Sequence, residues 1–137
     1  MGHRSIAIYD GCEVNERGLL ERRINMDTIA ANLAYFKEKH AEVYRAYQDY
    51  GRTLHEEGGP LEEKMRWLIK VSISTTCQMP YALKTHIKKA LKSGASREEI
   101  EHAILLTAPT AGFPRMMEGI LILREVLGET EKQILTE

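Results

Sequence analysis

Two side chains capable of proton-transfer or nucleophilic chemistry lie in one stretch of this 137-residue sequence, Cys77 and, a short way on, His86. His86 follows Leu83 by three residues and precedes Ala90 by four, which puts it at the border of an apolar helical stripe. There one ring nitrogen can face a cavity while the other meets a partner. A thiolate beside a histidine in a partly dry pocket is the arrangement of a nucleophilic or peroxidatic cysteine, because a charged neighbour lowers the thiol pKa. The plainer readings are an inert buried thiol and a hydrogen-bonded structural histidine. His40, His55 and His102 show no metal-ligand spacing, and Cys12 and Cys77 are too isolated to form a zinc signature or a disulfide framework. We expect neither a metal nor a cofactor.

Charge gives a second lead. The chain is nearly neutral, with a formal charge of -1, which argues against a dedicated nucleic-acid binder. Residues 60–95 nevertheless carry Lys64, Arg66, Lys70, Lys84, Lys88, Lys89 and Lys92 against Glu62 and Glu63, a local charge of +5. The middle of the chain is therefore suited to an anion, although Lys84, Lys88 and Lys92 share a helix face and also fit an ordinary solvated flank.

The elements that must position these residues are helical almost throughout. Asn15 can cap a short segment ending near Arg23, and Asp27 a helix with Ile29, Leu33 and Phe36 at helical spacing. A longer helix from about Ala41 to His55 carries Tyr44, Tyr47 and Tyr50 and ends at Gly58-Gly59-Pro60. From Leu61, the positions Met65, Leu68, Ile69, Ser72, Ile73, Thr76 and Cys77 predict a helix that buries this stripe, Cys77 included. Pro80 opens the His86 helix, and Ser93-Gly94 closes it. Ser96-Arg97-Glu98-Glu99 reads as a capping box. The following helix runs to Pro109, and a last one after Gly112-Phe113-Pro114 ends at Gly128. These readings predict a single all-α domain over residues 1–137, with N-terminal helices in 1–58, a core in 59–127 and a tail in 128–137. No stretch reaches a membrane span or a signal-peptide core, so a cytoplasmic protein without membrane contact is expected.

The run from Gly59-Pro60-Leu61-Glu62-Glu63-Lys64-Met65-Arg66-Trp67, through Leu83-Lys84-Thr85-His86-Ile87-Lys88-Lys89 and Gly94-Ala95-Ser96-Arg97-Glu98-Glu99-Ile100, to Gly112-Phe113-Pro114 resembles the carboxymuconolactone decarboxylase family, which includes the AhpD-type alkylhydroperoxidases. The resemblance implies an AhpD-like helical bundle assembled into a homo-oligomer, a trimer or a hexamer. It also implies one of two chemistries: peroxide reduction by a Cys-x-x-Cys pair with a Glu and His relay, or decarboxylation of a small lactone. Laid on the family without gaps, His86 takes the family histidine, while the two cysteine positions fall on Met79 and Ala82 and the relay glutamate on Trp67. One thiol cannot close an intramolecular disulfide, so Cys77 would at most form a sulfenic acid that needs an outside reductant. The resemblance thus favours the decarboxylase-like branch. His86 is then the acid or base, Lys84 or Arg115 holds a substrate carboxylate, and the partner is a small carboxylate or lactone. A peroxiredoxin-like activity through Cys77 and a non-catalytic ligand-binding or assembly protein are the alternatives.

Overall fold

A computed structural model describes the backbone of residues 8–9, 12–13 and 16–130, and the side chains of residues 28–130. A two-residue antiparallel pair, β1 (Ile8–Tyr9) with β2 (Cys12–Glu13), precedes the helices. The helices are α1 (Glu16–Lys39), α2 (Ala41–Arg52), α3 (Glu63–Thr76), α4 (Pro80–Lys92), α5 (Arg97–Leu105), the short α6 (Ala108–Ala111) and α7 (Phe113–Val126). Contacts divide the chain into two compact units, Met1–Tyr50 and Gly51–Glu137.

In the first unit, the two expected segments around Asn15 and Asp27 are one continuous helix, α1. No proline interrupts the run, and an aspartate inside a helix costs only a few tenths of a kcal/mol. Near its end, Phe36 meets Tyr44 edge-on at 6.5 Å, and the Lys37 ammonium lies 5.0 Å from the centre of the Tyr44 ring.

The second unit is built on α3, α4, α5 and α7. Val71, Leu83, Ile87, Ile100, Ile104 and Leu123 are fully buried where these helices meet. The phase of α3 differs from the one its spacing suggests: Met65, Ile69 and Ile73 are 46%, 41% and 53% exposed, while Val71, Ser74 and Thr75 are buried. Close packing explains the choice. Gly119 of α7 lies so near α3 and α5 that a Cβ there would meet Thr75 Cγ2 and Ile104 Cγ2, each at 2.8 Å. Only small side chains of α3 can face that contact, so Ser74 and Thr75 turn inward and the larger Ile69 and Ile73 turn out.

Helix ends follow the expected signals. Pro80 stands in the first turn of α4, and Ser96 and Glu99 form a reciprocal capping box at α5. The helix after Ser96 stops at Leu105, and Pro109 falls inside the short α6. α3, α4 and α7 all close with the same hydrogen-bond pair, in which the residue past the helix turns left-handed. Gly94 and Gly128 fill that position after α4 and α7, but after α3 it is Gln78, at φ 52°.

Gly119→Ala tests the close approach. Alanine is the better helix former by about 1 kcal/mol, yet an added methyl in so tight a contact costs about 1–3 kcal/mol. We expect a net loss of stability, seen as a lower thermal midpoint by circular dichroism. An unchanged or higher midpoint would contradict the packing described.

Candidate active site

His86 is half-buried on the α4 face that packs on α3. Its Nδ1 lies 2.6 Å from Ser74 Oγ and 3.2 Å from the Lys70 carbonyl oxygen. Ser74 donates its own hydroxyl proton to the Lys70 carbonyl at 2.8 Å. Because Nδ1 also faces the Lys70 carbonyl, which can only accept, we assign the imidazole proton to Nδ1, with the serine oxygen accepting at the ring. Neutral His86 is left with a bare Nε2, which makes no hydrogen bond among the described residues and is not sealed from solvent.

An aromatic row continues from His86. The Trp67 ring lies 5.8 Å from it, tilted by 40°, and His55 stacks on Trp67 at 4.6 Å. His55 arrives there because α2 widens after Arg52 into a π-helical turn, Thr53–Glu57. Gly58 closes that turn, and a Cβ at this position would collide with the Leu54 carbonyl. The Lys70 and Lys89 ammoniums lie over the Trp67 ring, 5.2 and 5.9 Å from its centre. Helical spacing places these groups together: Trp67, Lys70 and Ser74 recur along α3, and His86 and Lys89 along α4.

Electrostatics follow from burial and from like charge. Desolvation lowers the His86 pKa below its ordinary 6.5, the nearby Lys70 and His55 lower it further, and the hydrogen bond to the Lys70 carbonyl opposes them. His55 is lowered by desolvation and then by Lys70 and Arg66, against Glu56 and Glu63. Desolvation also lowers the Lys70 pKa. Both imidazoles are thus neutral at neutral pH.

The other expected site residues are placed differently. Cys77 is exposed rather than buried. Cys77 continues the four-residue steps of Met65, Ile69 and Ile73, its amide still bonded to the Ile73 carbonyl, and that side of α3 faces outward. Lys84 is engaged with Glu125 across α4 and α7 at 3.2 Å. Arg115 donates to the Thr76 carbonyl at 2.8 Å, tying α7 to the last turn of α3. It lines a shallow open depression with Ser74, Gln78, Met79 and Glu118. Met79 and Ser74 thus join Arg115 beside the start of α4, while His86 meets Ser74 from the side of α4.

Sequence reasoning missed His55, Trp67, Ser74 and Lys70 as site members. The available signal was the three- and four-residue spacing of Trp67, Lys70 and Ser74, which shares a face with neither Met65 nor Ile69. His55 had no local signal, because its approach depends on the π-helical turn.

The second unit is thus an all-α scaffold in which two packed helices hold one nitrogen of a half-buried histidine and leave the other bare. The family model of the carboxymuconolactone decarboxylase family matches residues 41–125, and the chain belongs to that family. An uncharacterised protein of Methanocaldococcus jannaschii is 28% identical over 100 residues, covering 73% of this chain and 92% of its own length. Uncharacterised protein 4 in the cox locus of Paracoccus denitrificans is 25% identical over 108 residues, covering 77% and 96%. A crystal structure from Burkholderia xenovorans that carries the family's name shares the fold, with a TM-score of 0.58 at 23% identity over 74% of this chain and 82% of that one. Among the described residues, no helix is long and apolar enough to cross a membrane.

The depressed imidazole pKa values have a signed consequence. Below pH 6.5 the unfolded chain takes up protons that folded His55 and His86 resist, so their contribution to stability is complete above pH 6.5 and declines as pH falls through the folded pKa values. The thermal midpoint is expected to fall on acidification from pH 7 to pH 5, and less steeply in His86→Gln and His55→Gln. Equal slopes in all three proteins would contradict the assignment.

Proposed function

We propose that this chain is a carboxymuconolactone decarboxylase-like enzyme acting on a small carboxylate or lactone, with His86 Nε2 as the proton-transfer atom. One observation carries the reading: Ser74 Oγ and the Lys70 carbonyl both contact Nδ1, the arrangement that assigns the proton there and leaves Nε2 bare in a neutral ring. Loss of carbon dioxide from such a substrate leaves an electron pair on carbon, delocalised into the lactone carbonyl, and that carbon must gain a proton. Neutral His86 serves by taking a proton from solvent or substrate at Nε2 and returning it to the carbon. A fixed ring supplies the orientation that makes the transfer efficient.

The groups that contact the His86 ring are Ser74, the Lys70 carbonyl and Trp67, with no thiol among them, which favours this reading over a thiol peroxidase, whose sulfur must lie beside the base. With 4-carboxymuconolactone as the assay substrate, His86→Ala is expected to lower kcat by roughly 10²–10⁴-fold, while Cys77→Ser leaves turnover unchanged. Full activity in His86→Ala would overturn the proposal. Peroxide turnover lost in Cys77→Ser would establish the thiol reading instead.

We further propose that the enzyme is a homo-oligomer, a trimer or a hexamer. The support is the stripe of Met65, Ile69 and Ile73 at four-residue steps along α3, each large, apolar and more than two-fifths exposed. A second copy covering that stripe would bury it. Ile69→Glu with Ile73→Glu is expected to reduce the mass measured by light scattering to that of a smaller species, with helicity retained. An unchanged mass would exclude this face from the interface.

A further inference from the structure

We infer that Trp67, Lys70 and Lys89 form the carboxylate-recognition half of the site, and that the acid they hold is a planar, unsaturated one. The inference rests on the reaction proposed above for the substrate class, but it assigns recognition to residues other than Lys84 and Arg115. Those two are engaged, Lys84 by the Glu125 carboxylate and Arg115 by the Thr76 carbonyl. Lys70 and Lys89 are held instead over the Trp67 ring, and no carboxylate among the described residues pairs with either.

Two ammoniums near one indole, one of them partly desolvated, raise the local potential without cancelling it. A ring quadrupole attracts a cation without neutralising its charge, so both lysines remain available to an incoming anion. The charged groups around them are known from each packed element. α3 contributes Arg66, whose guanidinium donates to the Leu61 carbonyl, together with Glu63; the π-helical turn contributes Glu56 and neutral His55; α4 contributes His86.

The shape of the anion follows from the walls. His55, Trp67 and His86 form a row of flat rings, which favours a flat conjugated body over a saturated one. Two point-charge ammoniums suit the two oxygens of one carboxylate. A phosphate calls for more donors, from an arginine fork or a run of backbone amides. Lys89 follows His86 by three residues on α4, so an acid held there is brought to the helix face that carries the bare Nε2.

Trp67 is the sole tryptophan of the chain, so its emission reads the site directly. The full chain is titrated with benzoate, with benzamide as the neutral isostere, and with inorganic phosphate, and calorimetry is run in parallel. We expect a saturable response to benzoate in the millimolar range and none to benzamide. Lys89→Met, at an exposed position, and Lys70→Met are each expected to weaken benzoate at least tenfold, and Lys70→Arg to retain most of the binding. Overturning results are equal responses to benzoate and benzamide, phosphate binding as tightly as benzoate, no benzoate response in the unaltered protein, or unaltered benzoate binding in both methionine variants. His86→Gln separates this inference from the proposed reaction. Retained benzoate binding with lost lactone turnover supports both, whereas full turnover in that variant overturns the reaction and leaves the carboxylate site standing on its titrations.

Discussion

Ser74 gives its hydroxyl proton to the carbonyl of Lys70, one helical turn back, and His86 Nδ1 faces both that carbonyl and the serine oxygen, an arrangement satisfied when Nδ1 is the donor. That constraint sets the tautomer of the imidazole, and with it the direction in which the site can move a proton. Much of the second unit serves to keep the two helices in this register. Thr75 packs under Gly119, which lets α7 press α3 into the core with Ser74 turned inward. The tight turn after α3 then returns the chain at once, through hydrogen bonds from Gln78 to Thr75 and from Met79 to Ser74. Gln78 takes the left-handed conformation that glycine takes after α4 and α7, at a cost of roughly 1–2 kcal/mol. The strained residue thus lies beside the serine that orients the histidine.

The charge pattern complements this geometry. In the second unit, several carboxylates are engaged in holding helices and turns. Glu99 is held below the usual carboxylate range by the Ser96 amide and by Lys64. Glu101 and Glu129 clasp Arg97, whose guanidinium is driven further toward its charged form, and Glu125 takes Lys84. Exposed pairs of this kind contribute little stability each. Their larger effect is on where positive charge remains uncompensated, and Lys70 and Lys89, beside the aromatic row, are among the cations that no carboxylate of the described residues pairs with. The same excess keeps His55 and His86 neutral, since a proton added to either ring would be desolvated and would face the Lys70 ammonium.

Much of the second unit was legible in the sequence, because its helix ends carry strong local chemistry. Pro80, Ser93-Gly94, the Ser96–Glu99 box and Gly128 each act where the residue type requires. The rotation of α3 was not legible. Its sequence is apolar or small around most of its circumference, so periodicity offers Met65-Ile69-Ile73 and Trp67-Val71-Ser74 as rival faces. Tertiary packing against Gly119 decides between them. His86 stood out because a histidine at a stripe border has few bland partners, whereas Ser74 and Lys70 read as ordinary helix residues until α4 is laid against them. The central positive charge was visible as a sum, but which lysines stayed unpaired depended on Glu125, far away in the chain. Cys77 misled for the same reason, because it sits one step further along the Met65-Ile69-Ile73 face that packing turns outward.

The indole at position 67 ties these threads together. The resemblance read from the sequence implies that the relay glutamate of the redox members would fall where Trp67 stands. A carboxylate there would pair with Lys70, raise the pKa of His86 and draw off the positive charge that Lys70 and Lys89 otherwise present. An indole does none of these things. It holds the ammoniums weakly, gives His55 a face to stack on, and leaves His86 neutral with a bare nitrogen. Substituting a ring for an acid at this single position changes a site that would pass protons between a carboxylate and a thiol. What remains in the proposed site is one fixed imidazole beside an electropositive aromatic row, and the resemblance's placing of Met79 and Ala82 at the cysteine positions is consistent with the same change. Under the proposed reaction these features are mutually consistent: an anion held at the lysines lies beside a neutral imidazole, and an imidazole with no thiol among its contacts can serve proton transfer at carbon while lacking the sulfur that peroxide reduction requires.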